Sequence, residues 1–599
     1  MAAIYNTRRY FLKAVGVGAA AVAVGPSMLA AGKFLEKRPN VIIVMTDDQG
    51  YGDLGCHGNP HVKTPNIDKL HAQSVRLTDF HVSPTCSPTR AALMTGRYCN
   101  RTGVWHTIMG RSLLRKDEVT MADVFSASGY RTGIFGKWHL GDNYPFRPQD
   151  RGFGESLVHR GGGIGQGIDY WGNDYFDDTY YRNGKPERFK GYCTDVWFDE
   201  AMKFIESNKD RSFFCYLPTN AAHGPFFVAD RYSKPYKDKG LKSSLAAFYG
   251  MITNIDENMG RLMGRLDRLG LSDNTILVFM TDNGGEPAGC WARYKGGMRG
   301  FKGSQYDGGH RVPCFIRWPG GGLEGGRDIG RLTAHIDLLP TFIELCGLKK
   351  PGGVKLDGLS LAPLLAGGSS EWAERVLITD SQRVDHPIKW RQSATMTDRW
   401  RLIDGLKLYD IKTDPGQEND LAERLPKVVK KLRAAYEKWW DDICERFDEY
   451  CEIVIGSEEQ NPTCLMSHDI HGQVVWNHEQ VKQGARADGF WAVEVERDGT
   501  YEFSLRRWPE EVKRPISSAV DINNEDEEYE VITATDARLK VANFDQTKPV
   551  GAEAREVKFR VRLEAGKTRA QAWFVNGLDD GRTFGAYYVY VKRLEQQGK

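Results

Sequence analysis

Asn40-Val41-Ile42-Ile43-Val44-Met45-Thr46-Asp47-Asp48 is the stretch on which the fold turns. An apolar run, Val41 to Met45, closes on a threonine and two aspartates. A short run of that kind reads as a buried parallel strand. The pattern returns at Thr275-Ile276-Leu277-Val278-Phe279-Met280, which closes on Thr281-Asp282-Asn283-Gly284-Gly285. Just before it, from Ser244 to Leu269, apolar residues recur at three- and four-residue spacing, the mark of an amphipathic helix, and Gly270 supplies a stop. Strand, helix, strand predicts an α/β sheet with helices on both faces. In such sheets ligands bind beyond the carboxyl ends of the strands. Asp47, Asp48, Asp282 and Asn283 stand at two such ends. Hard oxygen donors without His or Cys suit Ca²⁺, and Mg²⁺ less well. The commonest use of acidic residues at strand ends is in turns and caps, and that reading stays open on these residues alone.

The chain has 599 residues, enough for roughly two to four domains. Lys and Arg number 81 against 79 Asp and Glu, a net charge of +2, so no global basic field points to nucleic acid. Thr7-Arg8-Arg9-Tyr10-Phe11-Leu12-Lys13, followed by the apolar run Ala14 to Val24, reads as a twin-arginine export signal over residues 1–31, with cleavage near Ala30 or Ala31. The run is too short to span a bilayer. The expected mature chain therefore has no transmembrane span, is periplasmic or secreted, and has the twin-arginine export machinery as a partner. The 11 cysteines show no CxxC and no zinc spacing, and disulfides stay open.

Toward the C-terminus, strand-like runs from about 370 lead into a helical stretch, Leu425 to Trp440. After Cys451 the period changes to two: Trp491, Val493 and Val495 alternate with polar residues, as do Tyr501, Phe503 and Leu505, and Val557, Phe559, Val561 and Leu563. This predicts an all-β sandwich over 455–599. Structural support and glycan binding are both open to that domain.

The chemistry centres on Cys86-Ser87-Pro88-Thr89-Arg90. Pro88 suits the first turn of a helix, which places Cys86 at its N-terminus, where free N–H groups and the dipole favour an anion. Arg90, one turn on, can reach back. A reactive structural cysteine or a phosphatase-like thiolate would fit as well. The longer stretch Ser83-Pro84-Thr85-Cys86-Ser87-Pro88-Thr89-Arg90-Ala91-Ala92-Leu93-Met94-Thr95-Gly96-Arg97 resembles the type I sulfatases of the alkaline phosphatase superfamily. In these the cysteine of C-x-P-x-R is oxidised to formylglycine by a formylglycine-generating enzyme.

The resemblance implies a mixed central sheet sandwiched by helices over 37–365, a smaller α+β subdomain over 366–452, and the β-sandwich as an appended domain. It implies a nucleophilic formylglycine hydrate at position 86. It also implies Ca²⁺ bound by Asp47, Asp48, Asp282, Asn283 and the modified Cys86. Gly136-Lys137-Trp138-His139-Leu140-Gly141 matches a family motif in which Lys137 binds sulfate and His139 acts as base. In extended backbone those two side chains would share one side while Trp138 packs away. His223 matches the contact to the leaving oxygen, and Lys302 the second sulfate lysine. Arg90, Lys137 and Lys302 would offset charge on the sulfuryl oxygens.

The loop Gly300 to Pro313 departs from the commonest pattern, with Asp307 in place of Glu and His310 in place of an apolar residue. A different substrate rim is the expected consequence. The segment His159 to Asp178 is rich in Gly, aromatic and polar residues, and reads equally as a sugar-binding insert or a packed loop. His159, Arg160 and His310 are the rim candidates. The expected activity is hydrolysis of a sulfate ester on a carbohydrate. An arylsulfatase, a phosphate or phosphonate ester hydrolase of the same superfamily, and a non-catalytic sulfated-glycan-binding protein with unmodified Cys86 are the alternatives.

Overall fold

Strand Asn40–Thr46 is buried along its whole length. Its side chains divide between two cores: Val41, Ile43 and Met45 enter one, Ile42 and Val44 the other. A strand covered on both faces must be apolar on both, which is why the run is continuous rather than alternating. Each such side chain contributes about 1.5–3 kcal/mol of burial. The computed structural model describes residues 38–286, 293–368, 372–518, 531–576 and 583–595. The expected export signal, residues 1–31, lies outside the described residues. Among the described residues no helix is long and apolar enough to cross a membrane.

Asn40–Thr46 lies inside a ten-stranded sheet, paired in parallel with Phe213–Pro218 on one side and Thr275–Thr281 on the other. Arg131–Lys137 and Glu155–His159 continue it in parallel beyond Phe213–Pro218. Antiparallel pairings on both sides, Cys314–Arg317 against Thr275–Thr281 and Thr179–Arg182 against Glu155–His159, make the sheet mixed. Helix Ser243–Arg268 packs through Leu245, Phe248, Ile252, Ile255 and Leu262 on the Ile42/Val44 face. It stops where expected, with Gly270 at φ 65°. The opposite face carries Cys86–Thr95, Met121–Ala127 and Leu338–Leu345. Every residue of Cys86–Thr95 is buried.

A four-stranded antiparallel sheet follows, Leu377–Asp380, Ser393–Met396, Trp400–Ile403 and Lys407–Asp410, packed against helix Pro426–Ile443. The C-terminal region then forms two facing sheets. One runs Ile453–Ile455, Asp488–Val495, Gly566–Val575, Asp536–Val541 and Phe544–Pro549. The other runs Thr463–Met466, Tyr588–Leu594, Gly499–Arg506 and Val557–Leu563. In Val557–Leu563 the apolar residues are buried and Lys558, Arg560 and Arg562 exposed, as the period of two requires. The sandwich does not close on itself. Leu113, Phe146, Ile168 and Trp171, from far earlier in the chain, complete its core.

Candidate active site

The helix that begins at Cys86 is set by its own sequence. Thr85, the residue before it, is extended (φ −143°, ψ 159°), and Thr89 Oγ1 donates to the Ser83 carbonyl at 2.9 Å, fixing the entry. Gly96 ends it in the left-handed region at φ 64°. Cys86 Sγ, on a residue only 3 % exposed, points at His139 Nδ1, 3.4 Å away. Burial pushes this thiol up, and the ammoniums of Lys137 and Lys302 only partly offset it. Arg90 turns inward: Nη2 donates to Asp282 Oδ2 at 2.8 Å and Nη1 to the Lys137 carbonyl at 2.9 Å.

Lys137 ends its strand and donates from Nζ to Asp47 Oδ2 at 2.5 Å. Trp138 packs into the core and donates to the Phe146 carbonyl. His139 reaches the same space as Lys137, but not by strand alternation. Its backbone is left-handed at φ 60°, a kink that swings the ring onto Cys86. Gly136 is required just before: a Cβ there would stand 1.9 Å from the Pro218 carbonyl oxygen on the neighbouring strand. His139 Nε2 donates to the Thr107 carbonyl at 2.8 Å, so Nδ1 presents its lone pair to position 86. Burial, then the Lys137 charge, hold the ring neutral.

Asp47, Asp48 and Asp282 bring one oxygen each to within 4.8 Å of one another, all fully buried. Lys302 Nζ donates to Asp48 Oδ2 at 2.7 Å, and His223 Nε2 stands 3.7 Å from that oxygen. Asn283 Nδ2 donates to Asp48 Oδ1 at 2.7 Å. Burial works against ionisation throughout. At Asp48 the Lys302 ammonium is the chief opposing charge, at Asp47 that of Lys137, and both carboxylates are held below the usual range. At Asp282 burial, reinforced by Asp47, wins and pushes the group up to about 7. Three carboxylates this close share fewer than three charges, and such a set gains most from an added cation. Asp47 Oδ1 and Asn283 Oδ1 are buried without a hydrogen-bond partner. Orphaned acceptors and an oxygen-only donor set fit a hard divalent cation.

The three rim candidates separate. His310 is fully buried, and both its ring nitrogens are used, Nδ1 with His81 Nδ1 at 2.9 Å and Nε2 with the Gln305 carbonyl at 3.0 Å. It is not on a rim. Asp307, the other departure in that loop, accepts from Arg401 Nε at 3.1 Å. Asp307 thereby anchors the loop to the four-stranded sheet, and His310 anchors it to His81. His159 is likewise buried, paired in register with Lys137 on the adjacent strand and held to about 3 by burial. It lies behind the site rather than at its mouth. Arg160 stacks its guanidinium 3.7 Å from the Tyr181 ring centre and is partly exposed.

Two contributors escape the sequence reading. Glu286 Oε2 stands 3.7 Å from Lys302 Nζ. His468 comes from the β-sandwich: its carbonyl accepts from Met109 N at 2.9 Å, and its ring centre lies 6.4 Å from that of His139. Asp469 Oδ1 holds its Nδ1 at 2.8 Å. The density of polar residues in Ser467-His468-Asp469-Ile470-His471 was the available signal.

The Sulfatase family model matches residues 39–348, just over half of the chain. The chain belongs to the sulfatase family. This sulfatase is a sulfuric ester hydrolase built on the mixed α/β sheet expected for it. A second family description, N-sulphoglucosamine sulphohydrolase C-terminal, matches residues 301–440. Arylsulfatase A of Homo sapiens is 34 % identical over 374 residues, covering 57 % of this chain and 70 % of the relative. N-acetylgalactosamine-6-sulfatase of Mus musculus is 31 % identical over 398 residues, covering 62 % and 71 %. Among solved structures, Ps i-CgsB in complex with k-i-k-neocarrahexaose is similar at 27 % identity and TM-score 0.62, covering 69 % of this chain and 95 % of that one.

Proposed function

We propose that this sulfatase removes sulfate from a sulfated carbohydrate, with a formylglycine made from Cys86 and a bound Ca²⁺. The observation that carries the reading is the convergence of Cys86 Sγ, the neutral face of His139 and three buried carboxylates from two strand ends. Asp47, Asp48, Asp282 and Asn283 would hold the cation. Oxidised and hydrated, residue 86 would supply the attacking oxygen, and the cation would offset charge on the sulfuryl group. A formylglycine-generating enzyme is then a required partner.

The remaining work falls to this chain's own side chains. Lys137 and Lys302 carry ammoniums at the edge of the carboxylate cluster, placed to meet sulfuryl oxygens, and Arg90 holds Asp282 in register. His139 Nδ1 accepts the proton of a hydroxyl on residue 86 when sulfate is expelled. His223 Nδ1 donates to its neighbour's carbonyl, Gly224 O, which leaves Nε2 as an acceptor. Lys302 keeps its proton, raised by the Asp48 carboxylate against burial; with that carboxylate turned to the cation, it would be released to donate to the leaving oxygen. The carbohydrate class is supported by a relative named N-acetylgalactosamine-6-sulfatase and by the k-i-k-neocarrahexaose bound to the solved neighbour. Arg8-Arg9 with its apolar run supports twin-arginine export to the periplasm or beyond.

Peptide mass spectrometry across residue 86, on protein from its native host, tests the nucleophile, and a panel of sulfated oligosaccharides tests the substrate. An aldehyde or hydrate with sulfate release is expected. An unmodified thiol with no release would overturn the reading.

A further inference from the structure

Away from the strand-end carboxylates, the loop that follows them carries a second constellation. Cys56 and His57 lie on the 3₁₀ turn Gly55–His57, and His71 in the last turn of helix Pro65–Gln73. The Cys56 sulfur and one nitrogen from each imidazole lie within 4.8 Å of one another. All three line a cavity of about 360 Å³ walled by Phe315, Arg76 and Asp328. From this geometry we infer that Cys56, His57 and His71 form a binding site for a thiophilic divalent cation such as Zn²⁺.

The His57 ring is set for it. His57 Nδ1 donates to the Tyr51 carbonyl at 2.7 Å, which leaves Nε2 as the lone-pair nitrogen. A carbonyl behind the ring is the usual support of a metal-bound imidazole. The Tyr51 ring stacks on His57 at 4.0 Å and fixes its rotation. The His57 and His71 ring centres are 5.7 Å apart and nearly perpendicular. Two imidazoles on a tetrahedral Zn²⁺, with Zn–N near 2.0–2.1 Å, place their centres about 5 Å apart, so a small side-chain rotation suffices. Burial holds His57 neutral, at about 4. The Cys56 thiol is pushed up by burial and by the Asp68 carboxylate. Ligation would displace the thiol proton to solvent, and the nearby Asp68 charge would then favour the cation.

Arg76 is the opposing charge. Its Nη1 donates to His71 Nδ1 at 3.5 Å, a long bond that ligation through Nδ1 would displace, while its other donors stay held by Asp328 and by the Gly326 carbonyl at 2.6 Å. The cavity supplies the fourth position. The other histidine cluster, His81–Asp307–His310, has every ring nitrogen engaged and offers no such lone pair.

The test is a Co²⁺ titration of the full-length protein saturated with Ca²⁺, followed by absorption and by metal counting after dialysis against Zn²⁺. One thiolate-to-cobalt charge-transfer band saturating at one equivalent is expected. It should vanish in Cys56→Ser, and the affinity should fall at least tenfold in His71→Gln, with sulfate-ester turnover unchanged in both. If Cys56→Ser does not fold, His71→Gln decides alone. No band in the parent protein, a band that persists in Cys56→Ser, or an affinity unmoved in His71→Gln overturns the assignment.

Discussion

Two of the nests of buried charge among the described residues differ in how charge is shared. In one, Asp79 and Asp307 bind the same guanidinium, Arg401, at 2.7 and 3.1 Å, and His81 joins Asp79 to His310. Opposite charges interleave, and both aspartates are held below the usual range because Arg401 outweighs burial. In the other, Asp47, Asp48 and Asp282 crowd together, and Asp282 is driven up to about 7. Both nests keep carboxylate oxygens without hydrogen bonds, Asp79 Oδ2 and Asp307 Oδ2 in the first, Asp47 Oδ1 in the second. An unspent oxygen is therefore not the mark of a site. Like charge crowded at the ends of parallel strands is, where one carboxylate is driven up although Lys137, Lys302 and Arg90 each already hold one of the three.

The comparison can be broken by substitution. Cys86→Ala should lower kcat by at least about 10³-fold, in line with the loss of other nucleophiles, while the melting temperature stays within a few degrees. A parent-like rate would remove residue 86 from the chemistry. Stripping divalent cations with a chelator should abolish turnover and lower the melting temperature, with both restored by Ca²⁺. Full activity in the stripped protein would make the crowded carboxylates structural. The interleaved nest should respond the opposite way: Arg401→Met takes from two buried aspartates the guanidinium that hydrogen-bonds both, leaving only the more distant Arg311, and should cost about 3 kcal/mol in urea denaturation, with kcat per folded molecule retained.

The smallest effect concerns His159. Its folded-state value, about 3, lies below the ordinary histidine value, so below pH 6.5 the unfolded chain binds a proton that the fold refuses. Stability is then lost as pH falls from 6.5 toward 3. Relative to pH 7, the parent should lose up to about 3 kcal/mol more than His159→Gln by pH 4. A stability gap that does not change with pH would show that the ring is not held neutral.

Much of this was legible in the chain. The two apolar runs marked strands because both faces had to be covered, and Ser244 to Leu269 was read within a residue or two because one long amphipathic face dictates a helix. Arg90, Lys137, His223 and Lys302 come together on the carboxylates that end Asn40–Thr46 and Thr275–Thr281, and Cys86 and His139 meet beside them. His159 and His310 misled because a polar residue in a glycine-rich stretch carries no record of its strand partner. His159 owes its burial to register with Lys137, and His310 to His81 and Gln305. The period of two showed which side chains of the sandwich turn inward, but not that Leu113 and Trp171 would be what they meet.

The turn bearing His468 follows strand Thr463–Met466, and that strand is paired with Tyr588–Leu594, the last described strand of the chain. The wall beside His139 is thus finished only after Tyr588–Leu594 has been made. Cys86 emerges hundreds of residues earlier and ends up sealed. An enzyme that modifies this thiol must work in the interval between those events. On the formylglycine reading proposed above, the rate at which the C-terminal sandwich docks would act as a clock on maturation, and hastening it would yield more folded protein with fewer competent molecules.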